Sequence, residues 1–215
     1  MRALDLVAPG KPLSVLCLGA HSDDIEIGAG GTILSLIRSS VDIDIHWCVA
    51  SASGGRASEA RASAEAFLVG AAGATVALGQ FRDSYLPYEG AAVKAWVEAQ
   101  KSRMKPDLVL THRGDDAHQD HRLISELAWN AFRDSIILEY EIPKWDGDLG
   151  RPNAYIVLSE DVMAQKIALL NEHFGSQRSK DWFDGETFRG LARLRGVECR
   201  SRYAEAFQAS KILLK

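Results

Sequence analysis

The chain has 215 residues, a formal net charge of −4, 47% hydrophobic and 25% charged residues. That length suits one domain with a sizeable core, expected here to span residues 1–215. Neither Lys nor Arg forms a dense run, so nothing in the charge pattern points to nucleic acid or an anionic membrane. The three cysteines, Cys17, Cys48 and Cys199, are widely spaced and form no Cys-x-x-Cys pair, which argues for buried thiols rather than a thiolate zinc site. Residues 1–13 show no leader-like apolar stretch, and no segment reads as a membrane span; the cytoplasm is the expected compartment.

The first apolar run, residues 13–20, is rich in β-branched residues and predicts a strand buried on both faces. His21, Asp23 and Asp24 follow it at once. Two adjacent carboxylates beside an imidazole repel unless something compensates, and a divalent cation favours ionised aspartate and neutral histidine together. Capping of a helix N-terminus accounts for one of these aspartates, less readily for the set. Gly28, Gly30 and Gly31 lie too far beyond the strand for a dinucleotide fingerprint, and the preceding acids oppose a pyrophosphate; close packing of a helix start explains them. A helix is expected over 31–39.

Residues 43–50 form the second strand, with His46 read as a core histidine beside Trp47. A helix over 58–69, a strand over 74–79 and a helix over 91–103, ended by Pro106, follow in order. The fourth strand, 107–111, leads into His112, Asp115, Asp116, His118, Asp120 and His121. His118 and His121, three apart on a helical turn, share a face and can converge on one centre, while Asp120 can orient an imidazole. A helix over 123–132, a loop over 140–152, a strand over 154–159 and a helix over 161–173 complete the pattern. The polar, arginine-rich tail 175–215 is expected to wrap the sheet and close one side of a pocket.

Strands alternating with helices predict an α/β, Rossmann-like fold: a mainly parallel sheet with helices on both faces. In the strand order 3-2-1-4-5, strands 1 and 4 are neighbours at the switch point, where ligands bind. The two histidine–aspartate clusters, about ninety residues apart, then meet at the carboxyl ends of those strands.

Ala20-His21-Ser22-Asp23-Asp24 with the glycines at 28, 30 and 31, and His118-Gln119-Asp120-His121, resemble the two motifs of the PIG-L/LmbE family of zinc-dependent N-acetylglucosaminyl deacetylases. Gly54-Gly55-Arg56-Ala57-Ser58-Glu59 and Arg82-Asp83-Ser84-Tyr85-Leu86 resemble weaker motifs of that family, the second corresponding to its Asp-Gly-x-Leu segment. Ser22 stands where the family usually has proline, and Ile25 where it often has glutamate, with Glu26 one position later. The resemblance implies one Zn2+ per chain held by His21, Asp24 and His121. It implies Asp23 as general base and His118, oriented by Asp120, as the group that polarises the carbonyl or protonates the amine; a cationic His118 is the form expected. Arg56 and Asp83 become candidate substrate-binding residues. The implied substrate is a small N-acetylated amino sugar or conjugate, and a homo-oligomer is the default assembly.

Trp145, Trp182 and Phe183 sit in loop-like segments, where core filling is the simpler role and sugar stacking the alternative. His112, His173 and Gln177 are further candidates for the surroundings of the pocket. Three other readings stay open: a metal-binding regulatory or substrate-binding protein without turnover, a metal hydrolase of a non-sugar amide or ester, and a nucleotide-cofactor enzyme. No Gly-x-Ser-x-Gly occurs to support a serine hydrolase.

Overall fold

The structure is a computed structural model that describes residue 6, residues 11–39 and residues 42–213. Most of the segment judged to lack a leader therefore lies outside the described residues, as do the last two residues of the tail.

The strand β1 (Leu13–His21) and the strand β2 (Ile43–Ser51) are buried along almost their whole length. That explains why their sequences run apolar instead of alternating. They pair in parallel from Leu13 opposite Ile43 to His21 opposite Ser51. On β2's other side lies β3 (Gly73–Leu78), and beyond β1 come β4 (Leu108–His112) and β5 (Ile136–Tyr140), all parallel. Two more strands, β6 (Ala154–Leu158) and β7 (Tyr203–Gln208), finish a seven-stranded sheet of order β3-β2-β1-β4-β5-β7-β6, with β7 antiparallel to both neighbours.

The helices are α1 (Asp24–Arg38), α2 (Gly55–Phe67), α3 (Gly90–Lys101), α4 (Gln119–Ala131), α5 (Glu160–His173) and α6 (Gly185–Cys199). One core packs α1, α2, α5 and α6 against Val15 and Cys17 of β1; the other packs α3 and α4 against Leu16, Leu18 and Ala20. The expected α/β architecture and the order 3-2-1-4-5 are both present. Among the described residues, no helix is long and apolar enough to cross a membrane.

Three expectations need correction. The first helix begins at Asp24 rather than residue 31, so the glycines lie inside it. A Cβ at Gly28 would stand 2.3 Å from the Tyr140 ring, and one at Gly30 would stand 2.7 Å from Phe67. Contact between helix and neighbour, not helix propensity, selects glycine there. β5 was missed, and it is the strand that fills the fifth place in the predicted order. Finally, the tail does more than wrap: it supplies α6 and then β7, which threads between β5 and β6.

β7 is held by an unusual interior charge. The Glu205 carboxylate accepts the amide N–H groups of Gly31 (2.8 Å) and Thr32 (2.7 Å) in α1. It also pairs with the buried Lys166 ammonium at 2.6 Å, which donates as well to the Ile27 carbonyl. One ion pair thereby fastens α1, α5 and β7 together.

Candidate metal centre

β1 and β4 pair only as far as Cys17 opposite Leu110 and then diverge. The divergence frees the Leu18 carbonyl and the Ala20 amide of β1. Tyr140 donates its hydroxyl to Leu18 O at 2.7 Å, and the buried His112 accepts Ala20 N–H on Nε2 at 2.9 Å. His112 Nε2 also stands 3.2 Å from Asp24 Oδ2, so the residue joins the sheet to the site, and burial together with nearby His121 pushes it down to about 4.

In the opening lie His21 at the end of β1, Asp23 and Asp24 at the start of α1, and His121 in the first turn of α4, all buried. His21 Nδ1, Asp24 Oδ2 and His121 Nε2 stand 3.3, 3.2 and 3.5 Å apart, taken as His21–Asp24, His21–His121 and Asp24–His121. A tetrahedral ion with bonds of about 2.0–2.1 Å requires donors about 3.3 Å apart. The triangle has the dimensions of a site for a divalent ion of that size, and its donors are oxygen and nitrogen.

The second nitrogen of each histidine lies close to a carboxylate, as in metal-ligating imidazoles. Asp116 Oδ1 stands 3.1 Å from His121 Nδ1. Asp120 Oδ2 stands 3.2 Å from His21 Nε2, with Asp83 Oδ1 on the same nitrogen at 3.3 Å. Burial alone would lower His21, but Asp24, Asp120 and Asp83 raise it well above the ordinary imidazole range. Burial would raise Asp24, yet His121, His112 and His21 hold it well below the carboxylate range. These opposed shifts mark a point where the protein favours positive charge among ionised oxygens, which a divalent cation satisfies.

Asp23 occupies the N-cap position of α1 beside this triangle, and its side chain makes no capping bond. Burial and the adjacent Asp24 push its carboxyl up, opposed by Arg56 and His21. Arg56, at the start of α2, donates to Asp23 Oδ1 at 2.9 Å and lies 3.5 Å from Asp83 Oδ2. Its guanidinium therefore orients Asp23 while still lining the cavity. Asp83 is half-exposed and kept well below the usual range, chiefly by its bond to His21, against the opposing effect of burial.

His118 is the N-cap of α4, and its Nδ1 accepts the Asp120 amide N–H at 3.2 Å. That bond leaves the neutral ring its proton on Nε2. Its ring centroid lies 4.7 Å from those of both His21 and His121. The expectation that the Asp120 carboxylate orients His118 is corrected: it is spent on His21 and on the amides of Ser84 (2.8 Å) and Leu86 (3.2 Å). Burial, His121 and His21 push the His118 pKa down, opposed by Asp120 and Asp24. Asp116, Ser84 and Lys144, which stands 3.1 Å from Asp116, belong to the site without having been singled out for these parts. Asp116 was within reach of sequence reasoning, being in the same loop as both histidines; Lys144 was not.

The cavity over the triangle measures about 280 Å³ and is lined by His21, Asp23, Arg56, Asp83, His118 and His121, with Trp145 and Trp182 at its rim. Gln177 also lines it. A larger cavity of about 940 Å³ lies beyond Arg113, between α4 and β7, away from these groups.

Fold and centre together define an α/β protein with a histidine–aspartate site at a sheet switch point. The profile of the PIG-L family, described as GlcNAc-PI de-N-acetylase, matches residues 16–132, and the chain belongs to that family. No curated protein sequence gives a significant match. Among solved structures the chain is similar to an N,N'-diacetylchitobiose deacetylase from Pyrococcus horikoshii, with 24% identity, a TM-score of 0.69, and 91% of this chain and 83% of that one covered. It is similar to GalB, the 4-carboxy-2-hydroxymuconate hydratase from Pseudomonas putida KT2440, with 20% identity, a TM-score of 0.74, and coverage of 94% and 98%. A deacetylase of teicoplanin biosynthesis follows at 14% identity and a TM-score of 0.71, with 91% and 97% covered.

Proposed function

We propose that this protein is a zinc-dependent N-deacetylase that hydrolyses the acyl amide of an amino sugar or amino-sugar conjugate. The observation that carries this is the donor triangle of His21, Asp24 and His121 with a further carboxylate, Asp23, oriented beside it by Arg56. Family membership supports the same reaction. One zinc ion held by those three residues would supply Lewis acidity to the acyl carbonyl and an ionisable water.

The chain's own residues account for the proton movements. Asp23 accepts a proton as water attacks the acyl carbon; its upward-shifted carboxyl suits that task. Arg56 holds the carboxylate in place. His118 donates its Nε2–H to the acyl oxygen as negative charge develops there, a role that needs a neutral donor fixed in one tautomer. The proton on Asp23 then passes to the amine as the C–N bond breaks, giving the carboxylic acid and the free amino sugar. Asp116 and Asp120 keep the two imidazole ligands oriented.

Acetate release from N-acetylglucosamine and N,N'-diacetylchitobiose tests the proposal. Activity should disappear on chelation and return with zinc; metal-replete protein that releases no acyl group from any N-acyl amino sugar would overturn it. The similarity to GalB favours one second reading, addition of water to a carbon–carbon double bond by the same site. Loss of ultraviolet absorbance from a conjugated dicarboxylate, without acetate release, would identify it.

A further inference from the structure

The cavity beyond Arg113 encloses about 940 Å³, within the range of sites that take small organic molecules. None of the residues of the histidine–aspartate centre lines it. One wall carries Glu139 of β5, a side chain only 6% exposed. Its Oε1 accepts the Ser125 hydroxyl at 3.0 Å and the Trp129 indole N–H at 2.7 Å, both from α4. Its Oε2 meets no donor among the described residues, and no cation pairs with it there. The chain neutralises comparable buried carboxylates: Glu141 by Arg195 and Glu205 by Lys166. Glu139 lacks such a partner and faces a cavity instead.

The cations that line this cavity are engaged elsewhere or lie in solvent. Arg113 donates to Asp115 Oδ1 at 2.7 Å and to the Asp148 carbonyl at 2.8 Å. Arg122 donates to the carbonyls of Asp116 and Ala117. Arg151 is exposed, where water screens its charge. A metal ion is poorly served, since a hard cation asks for about six oxygens. Glu139 offers one free oxygen, and Arg195 takes both oxygens of Glu141, at 2.6 and 2.7 Å. An ammonium or guanidinium needs only such an acceptor and a surface for its carbon skeleton. Trp129 gives that surface: it is half-buried, and its N–H fixes the ring beside the carboxylate.

We propose that the cavity between α4 and β7 is a second binding site, for an organic cation whose ammonium or guanidinium donates to Glu139 Oε2 while its carbon skeleton lies along Trp129. The ligand neutralises a carboxylate that folding has already stripped of most of its water, so much of the desolvation cost on the protein side is met before binding. Ser125 and Trp129 hold Glu139 in one orientation, so little ordering cost falls on binding either. The site is independent of the reaction at the metal centre.

The test is fluorine NMR on full-length protein labelled with fluorotryptophan, in which the five tryptophans report separately and Trp129→Phe identifies the line of Trp129. Agmatine, with an ammonium at one end and a guanidinium at the other, is the cationic probe; butylurea is the neutral control. Agmatine should shift the Trp129 line saturably and leave the lines of Trp145 and Trp182, at the metal cavity, in place. Butylurea at the same concentrations should shift none of them. Glu139→Gln keeps an oxygen for Ser125 and Trp129 but removes the charge, and should weaken agmatine about tenfold. A Trp129 line indifferent to agmatine overturns the site, whether Arg151 swings onto Glu139 or a second copy of the chain fills the cavity. An equal response to butylurea, an affinity unchanged in Glu139→Gln, or shifts at Trp145 and Trp182 alone overturn it too. The two probes are compared on wild-type side chains, so the result does not depend on the folding of the Glu139 variant.

Discussion

Asp120 accepts two backbone amides from the loop carrying Ser84 and offers its remaining capacity to His21. Asn in its place keeps the shape but not the charge on His21 Nε2. Asp120→Asn should therefore weaken zinc binding by about 10–100-fold while leaving the fold intact, as competition with a chromogenic chelator would show. Asp23→Asn should behave differently: zinc stays bound and turnover falls by about 10²–10⁴-fold. Ser84 adopts φ 64, where the family's related segment carries glycine. Ser84→Gly should raise stability by up to about 1 kcal/mol in denaturant melts, whereas Ser84→Val should lower it and disturb the amide that Asp120 accepts. The metal-ligand candidates were legible in the sequence because their chemistry is local: His21 to Asp24 in one turn, His118 to His121 in another. The partner of Asp120 was not, since it depends on how the loop at Ser84 folds across from α4.

At the scale of elements, β1, β2 and β4 were legible because burial on both faces gives them apolar runs, and the edge strands β3 and β6 because their short runs are rich in Ala, Val, Leu and Ile. β5 and β7 escaped for a common reason. Each carries a buried glutamate, Glu139 or Glu205, inside a short apolar stretch, and a carboxylate in such a position reads as a solvent-facing residue. Glu139 accepts the Ser125 hydroxyl and the Trp129 indole N–H; Glu205 accepts two helix amides and Lys166. Those partners come from distant parts of the chain. Glu205→Ala leaves a buried ammonium and two amides without their acceptor and should cost about 3–5 kcal/mol in unfolding experiments. Lys166→Met combined with Glu205→Leu should recover part of that loss, because no unpaired charge remains.

Across the whole molecule, the sheet order does what neither cluster does alone. β1 and β4 part beyond Cys17, His112 and Tyr140 satisfy the strand groups this exposes, and the two motifs close on one cavity. Order and switch point were readable from the alternation of strands and helices; Trp145 and Trp182 were readable as loop aromatics, but not their meeting at one cavity, because two loops far apart in sequence create it. If the ion joins α1 to α4 across the switch point, it binds the folded chain and not the unfolded one, so zinc should raise the melting temperature in a concentration-dependent way. The most direct test is elemental analysis of wild type and Asp24→Ala side by side, with acetate release followed on the same samples. About one zinc per chain and activity in the wild type, both lost in the variant, is the expected result. A wild type that releases acetate with no divalent metal bound, or an Asp24→Ala protein that keeps full zinc, would contradict the triangle as the seat of the chemistry.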